Sequence, residues 1–155
     1  MATSAIPGAI DFLVATAKSL FTDPAIAVSD GWFTGKSLQV LMIGITRDDP
    51  NTVIQATWAG LGANAQDESF DIPGVILCLG GDSSQKGTRD QAFAIYNSLV
   101  TAILANKTLG GALTPPGIAQ ITRGQLLQTP NAEEAGDGRV AQIAFTVHCT
   151  SRLTP

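Results

Sequence analysis

In Ala141-Gln142-Ile143-Ala144-Phe145-Thr146-Val147-His148-Cys149-Thr150 the odd positions are apolar, while the even ones carry Gln, Ala, Thr, His and Thr. A period of two is that of a strand, whose successive side chains point to opposite faces of a sheet. One face of this segment therefore belongs to a core and the other to water or a neighbour. A domain that ends on such a strand is built around a sheet.

Upstream, Asn131 to Gly138 is acidic and glycine-bearing and reads as a solvated loop, preceded by a strand from Ile118 to Thr129. Before that, Ala92, Ile95, Tyr96, Leu99, Val100, Ile103 and Leu104 recur at spacings of three and four, which puts them on one helical face. Thr88 with Gln91 has the form of a capping box at the start of this helix, and Gly110-Gly111 follows its end. Glu68 to Ile72 reads as a strand with one wet face. Val75 to Leu79 is continuously apolar and reads as a strand buried on both faces, with Pro73-Gly74 as a bend between the two.

Nearer the N-terminus, Ile10, Leu13, Val14, Ala17, Leu20 and Phe21 trace a second helical face between Pro7 and Phe21, stopped by Asp23-Pro24. After a loop around Asp30-Gly31, Ser37 to Ile45 is short and rich in strand-forming residues. Arg47 to Asn51 supplies turn chemistry, and Thr52 to Ala59 returns as a strand, so the simplest connection is an antiparallel hairpin. The order predicts one α+β domain over residues 1–155: a mostly antiparallel mixed sheet with two helices packed on one face.

Charged residues are only 14% of the chain, well below the roughly 25% of an average domain, as expected of a surface partly covered by partners. Nine basic residues against thirteen acidic ones give a net charge of −4, and no Lys or Arg neighbours another, so a phosphate-gripping role is not expected. Cys78 and Cys149 lie far apart in apolar stretches and read as buried free thiols of a reducing compartment, with a disulfide between them as the lesser alternative. No positive charge precedes the first apolar run, and no stretch approaches the 18 or so apolar residues of a membrane span. A protein made and used in solution is expected.

One histidine and two strand-embedded cysteines have no metal-ligand spacing, and neither a metal nor a cofactor is expected. His148, on the polar side of the last strand, reads as a surface or interface residue rather than a general base. Asp48-Asp49 and Glu133-Glu134 read as solvated turn acids rather than catalytic couples. The segment from Gly80 to Thr88 is glycine-rich and leads from a strand into a helix, but Lys86 precedes Gly87 and the phosphate-loop order fails. No catalytic site is therefore expected. Trp32 and Phe33 are candidate interface anchors, with Asp48, Asp49, Glu133 and Glu134 as further contact candidates in the loops.

The N-terminal helix, the run Gly74 to Leu79 ending in a polar loop, and the helix opening Arg89-Asp90-Gln91-Ala92 form a recognisable series. With the exit Lys107-Thr108-Leu109-Gly110-Gly111 and the final strand from Arg139 to Val147, the chain resembles the tail terminator, or tail completion, proteins of bacterial viruses with long, non-contractile tails. The likeness spans about four fifths of the chain and rests on loose, non-catalytic motifs; the Asp48-Asp49-Pro50 tip matches none of them. It implies a structural virion protein at the head–tail junction, assembled in the host cytoplasm. Such a subunit forms a ring, hexameric in the family, that ends growth of the tail tube. The implied partners are the chain itself, the tube protein and the head's connector or stopper, with genomic DNA passing through the lumen unbound. An acidic chain suits that lumen, because like charge lets DNA slide. The alternatives are another neck or head-completion protein, a tail tube subunit, a small cellular binding module, or an enzyme of unfamiliar design.

Overall fold

The computed structural model describes residues 3–46, 53–60, 65–80, 84–129 and 139–154. Along the chain run α1 (Ile6–Leu20), β1 (Ile26–Asp30), β2 (Gln39–Ile43), β3 (Ala56–Gly60), β4 (Gln66–Gly80), α2 (Gln85–Ala105), β5 (Ala119–Thr129) and β6 (Arg139–Leu153). The strands form one sheet in the order β1-β2-β4-β6-β5, and β3 pairs with the first part of β4. Among the described residues only β1 and β2 pair parallel. Both helices pack on the same face, so the architecture is the α+β one that the sequence implies.

The period-two segment lies inside the sheet, between β4 and β5. β6 pairs with β4 over fifteen residues and with β5 on its other side. Its odd residues from Ala141 to Cys149 enter the main core with Phe70, Ile72, Ile76 and Cys78 of β4. Above them lie Ala9, Leu13 and Ala17 of α1 and Ala92, Ile95, Leu99 and Ile103 of α2. Burying such side chains is worth roughly 1.5–3 kcal/mol each for the larger ones, so this layer is the main source of stability.

Several local expectations are corrected. Asp30, expected in a loop with Gly31, ends the strand Ile26–Asp30, which pairs parallel to β2. The expected hairpin does not form: β3 pairs with β4, covering Gln66–Phe70, while β2 covers Gly74–Cys78. β4 runs unbroken through Pro73-Gly74 because Pro73 falls in the gap between those two partners. Its carbonyl accepts the N–H groups of Gly44 and Ile45 on that side, so the missing N–H deprives β6 of nothing. The stretch Val75–Leu79 is not buried on both faces throughout, since Leu77 and Leu79 are half-buried.

Helix α2 starts three residues before the expected box. Ser84 is its N-cap, extended in backbone and accepting the N–H of Gly87 at 3.1 Å. Thr88 sits buried in the first turn, and its hydroxyl donates to the carbonyl of Ser84. Leu104, expected on the core face, is 59% exposed. The 47–51 turn and the 131–138 loop lie outside the described residues.

Candidate functional site

The sheet face away from the helices is where polar side chains gather. Strand alternation places Asp67, Ser69 and Asp71 of β4 there, opposite Arg152, Thr150 and His148 of β6. Asp67 accepts two bonds from the Arg152 guanidinium, at 2.9 and 3.2 Å. That contact holds the Asp67 carboxyl below its ordinary range and raises Arg152. The Nδ1 atom of His148 lies 2.7 Å from an oxygen of Asp71.

An imidazole held at Nδ1 by a carboxylate presents its other nitrogen outward, the posture of a general base. Base catalysis of a covalent step also needs a nucleophile in reach. Among the described residues no side chain hydrogen-bonds that second nitrogen, and its same-face strand neighbours are the ordinary alcohols Thr146 and Thr150. The row reads chemically as one ion pair, Asp67–Arg152, beside a hydrogen-bonded contact between Asp71 and His148.

At the β1–β2 end this same face is apolar. Val40, Met42, Ile45 and Val75 form a second, smaller core, and Phe33 and Ala27 pack against it. The loop after β1 thus crosses the sheet and is fastened by Phe33, while Trp32 beside it stays 51% exposed. The two expected interface anchors therefore separate: one is a half-buried fastener, and the other faces outward. Asp48, Asp49, Glu133 and Glu134 lie outside the described residues.

A cavity of about 390 Å³ opens at the far end of the sheet, walled by Trp58, Pro116, Gly117, Glu68 and Ser151. Glu68 and Ser151 in its walls are already engaged. The buried Glu68 carboxylate accepts the hydroxyl of Ser4 at 2.5 Å and the backbone N–H of Ala5 at 2.7 Å, which ties the start of α1 to the sheet. Ser151 accepts the N–H of Thr114. A ligand site needs convergent polar groups that are free to orient a ligand, and Glu68 and Ser151 are instead bonded within the chain. The sequence offered no signal for the role of Glu68, because its partner lies more than sixty residues away.

No family model matches the chain, and no curated protein matches it. Function is therefore read from its surfaces. Among the described residues no three His, Cys, Asp or Glu side chains cluster as metal ligands, and no helix is long and apolar enough to cross a membrane. Cys78 and Cys149 are buried free thiols. Burial pushes both up to about 12, aided at Cys149 by the negative charge of Asp71, so neither is a thiolate near neutral pH.

Proposed function

We propose that this chain is a structural ring subunit that caps the tail tube of a long-tailed bacterial virus, ending tube growth and offering the head connector a surface to dock on. The observation that carries the reading is the bare face of the β4–β6 pair. Among the described residues no helix covers this broad antiparallel surface, where Asp67 pairs with Arg152 and Asp71 contacts His148. A face of this kind suits contact with other subunits, since its polar side chains already bond to one another across the strands. The low charge of the whole chain supports the same reading, because a ring subunit is covered on both sides as well as above and below. The net charge of −4 suits a lumen through which DNA slides without being held. In this reading the chain performs no catalysis, and its partners are itself, the tube protein and the connector.

The test is a gold-tagged antibody against the chain, applied to virus particles from the source and viewed by electron microscopy. Label confined to the head–tail junction is the expected result. Label along the tail would make the chain a tube subunit, and particles free of label in both intact and denatured form would sink a virion role.

A further inference from the structure

Five rows of cross-strand partners run unbroken from one edge of the sheet to the other. Val28 pairs with Leu41, Leu41 with Ile76, Ile76 with Ile143, and Ile143 with Leu126. In the same way Ala27 lies on the row that ends at Leu127, and Ser29 on the row that ends at Gln125. The row of Ile26 ends at Gln128 and that of Asp30 at Gly124. The whole of β1 therefore stands level with residues 124–128 of β5. The two strands also run in opposite directions, since β1 is parallel to β2 and three antiparallel steps separate β2 from β5.

Among the described residues no strand borders β1 or β5 on its outer side. Edge strands are ordinarily protected by charge, proline or a bulge, because an unpaired ladder recruits other strands. Residues 124–128 of β5 contain no charge and no proline, and the β5 irregularity, between Ile121 and Arg123, stops short of them. β1 carries one charge, Asp30, at its very end.

We infer that β5 of one copy pairs antiparallel with β1 of the next, so that the sheets of neighbouring subunits continue into one another. This pairing presupposes the head-to-tail self-assembly proposed above and names the surfaces that make it. When the next copy is turned so that it continues the twist of the sheet, the free edges meet in the antiparallel sense and in the same register. The side chains then match. Val28 meets Leu126 on the helix side, and both are apolar residues half-buried at the margin of the main core. Ala27 meets Leu127 on the bare side, and Ser29 meets Gln125. Asp30 falls opposite Gly124 on the helix side, where no side chain opposes its charge, while Arg123, the single charge on β5, lies on the other face. The contact joins two different edges, so repeating it generates a ring or a helix rather than a two-fold pair. Closing a ring tilts the strands and staggers the register, and a stagger of two residues keeps every side chain on its face.

The experiment combines a cysteine at Ala27 or Ser29 with one at Gln125 or Leu127, giving four double variants, each oxidised and run on a non-reducing gel. Opposite edges of one chain cannot bridge, and the native thiols are buried. At least one double variant should give a ladder of covalent oligomers, while the four single variants give none. Adding Leu127→Lys to the Ser29→Cys/Gln125→Cys chain should abolish its ladder and leave its circular dichroism unchanged. Dimers from Gln125→Cys or Leu127→Cys alone, without a ladder from any double variant, would replace this pairing with a two-fold β5–β5 contact. No ladder from any double variant overturns the pairing outright. Rings seen in micrographs of those same samples would then keep the ring reading alive on other surfaces, and the gold label decides that reading separately.

Discussion

The ring of Phe145 lies over Gly74, its partner across the β4–β6 ladder, so closely that a Cβ built on the glycine would stand 2.2 Å from the ring's Cζ. The absent side chain is the space the ring occupies. Tyr96 of α2 meets the same ring edge-on at 6.3 Å, so this pair is also where the second helix is keyed to the sheet. Phe145→Ala should leave a cavity and cost about 3–5 kcal/mol. Gly74→Ala should cost about 1–3 kcal/mol by overpacking at the same place. Urea unfolding measures both, and a loss below about 1 kcal/mol for Phe145→Ala would show that the ring is not a core element.

This pair also shows how much of the fold was legible in the sequence. The period of two in β6 and the three-four spacing in both helices are local signals, and they located the core face correctly through Phe145, Ile95 and Leu13. Gly74 was legible only as a bend, because the ring that requires it lies 71 positions along the chain. The β3 strand misled for the same reason. Nothing in residues 52–59 says that their partner is β4 rather than β2, since partner choice is a property of the assembled sheet. Of the candidate site, Trp32 and His148 were legible as outward residues, but the Asp71 contact to His148 needed the register to appear.

Glu68 is fully buried, and its carboxylate serves as a cap on α1 supplied from the sheet. Glu68→Ala strands the N–H of Ala5 without an acceptor and should cost about 1–3 kcal/mol. Glu68→Gln keeps an acceptor for Ala5 and should cost clearly less. Amide exchange in the first turn of α1 should quicken in the alanine variant and much less in the glutamine one. Equal exchange in both would mean that the carboxylate does not hold the helix.

The two thiols give a pH dependence with a definite sign. Their folded values, pushed up to about 12, exceed the ordinary 9.0, so above about pH 9 the unfolded chain releases protons that the folded chain retains. Their contribution to stability is therefore intact below pH 9 and is lost as pH rises toward 12. A Cys78→Ala/Cys149→Ala chain should show a shallower alkaline loss of stability than the parent in matched denaturant titrations. At pH 8 a water-soluble disulfide reagent should label neither thiol in the folded protein and both in denaturant. Rapid labelling of the folded protein would contradict their burial.

Trp32 and Phe33 are neighbours in sequence with opposite surroundings, and that contrast separates folding from docking. Phe33 fastens the loop after β1 onto Val40, Met42, Ile45 and Val75, whereas Trp32 is half exposed beside it. Phe33→Ala removes apolar contacts from a partly buried site, so it should lower stability by about 1–3 kcal/mol, less than for a fully buried ring. Trp32→Ala touches only a surface position and should stay within about 0.5 kcal/mol of the parent in denaturant unfolding. If Trp32 anchors a partner, the same variant should be under-represented in assembled particles, read as its share against parent protein when the two are co-expressed. An aromatic anchor desolvated by a partner is worth roughly 2 kcal/mol or more, enough to change that share many-fold. Equal incorporation with unchanged stability would assign Trp32 to free surface, and lost stability would return it to the small core beside Phe33.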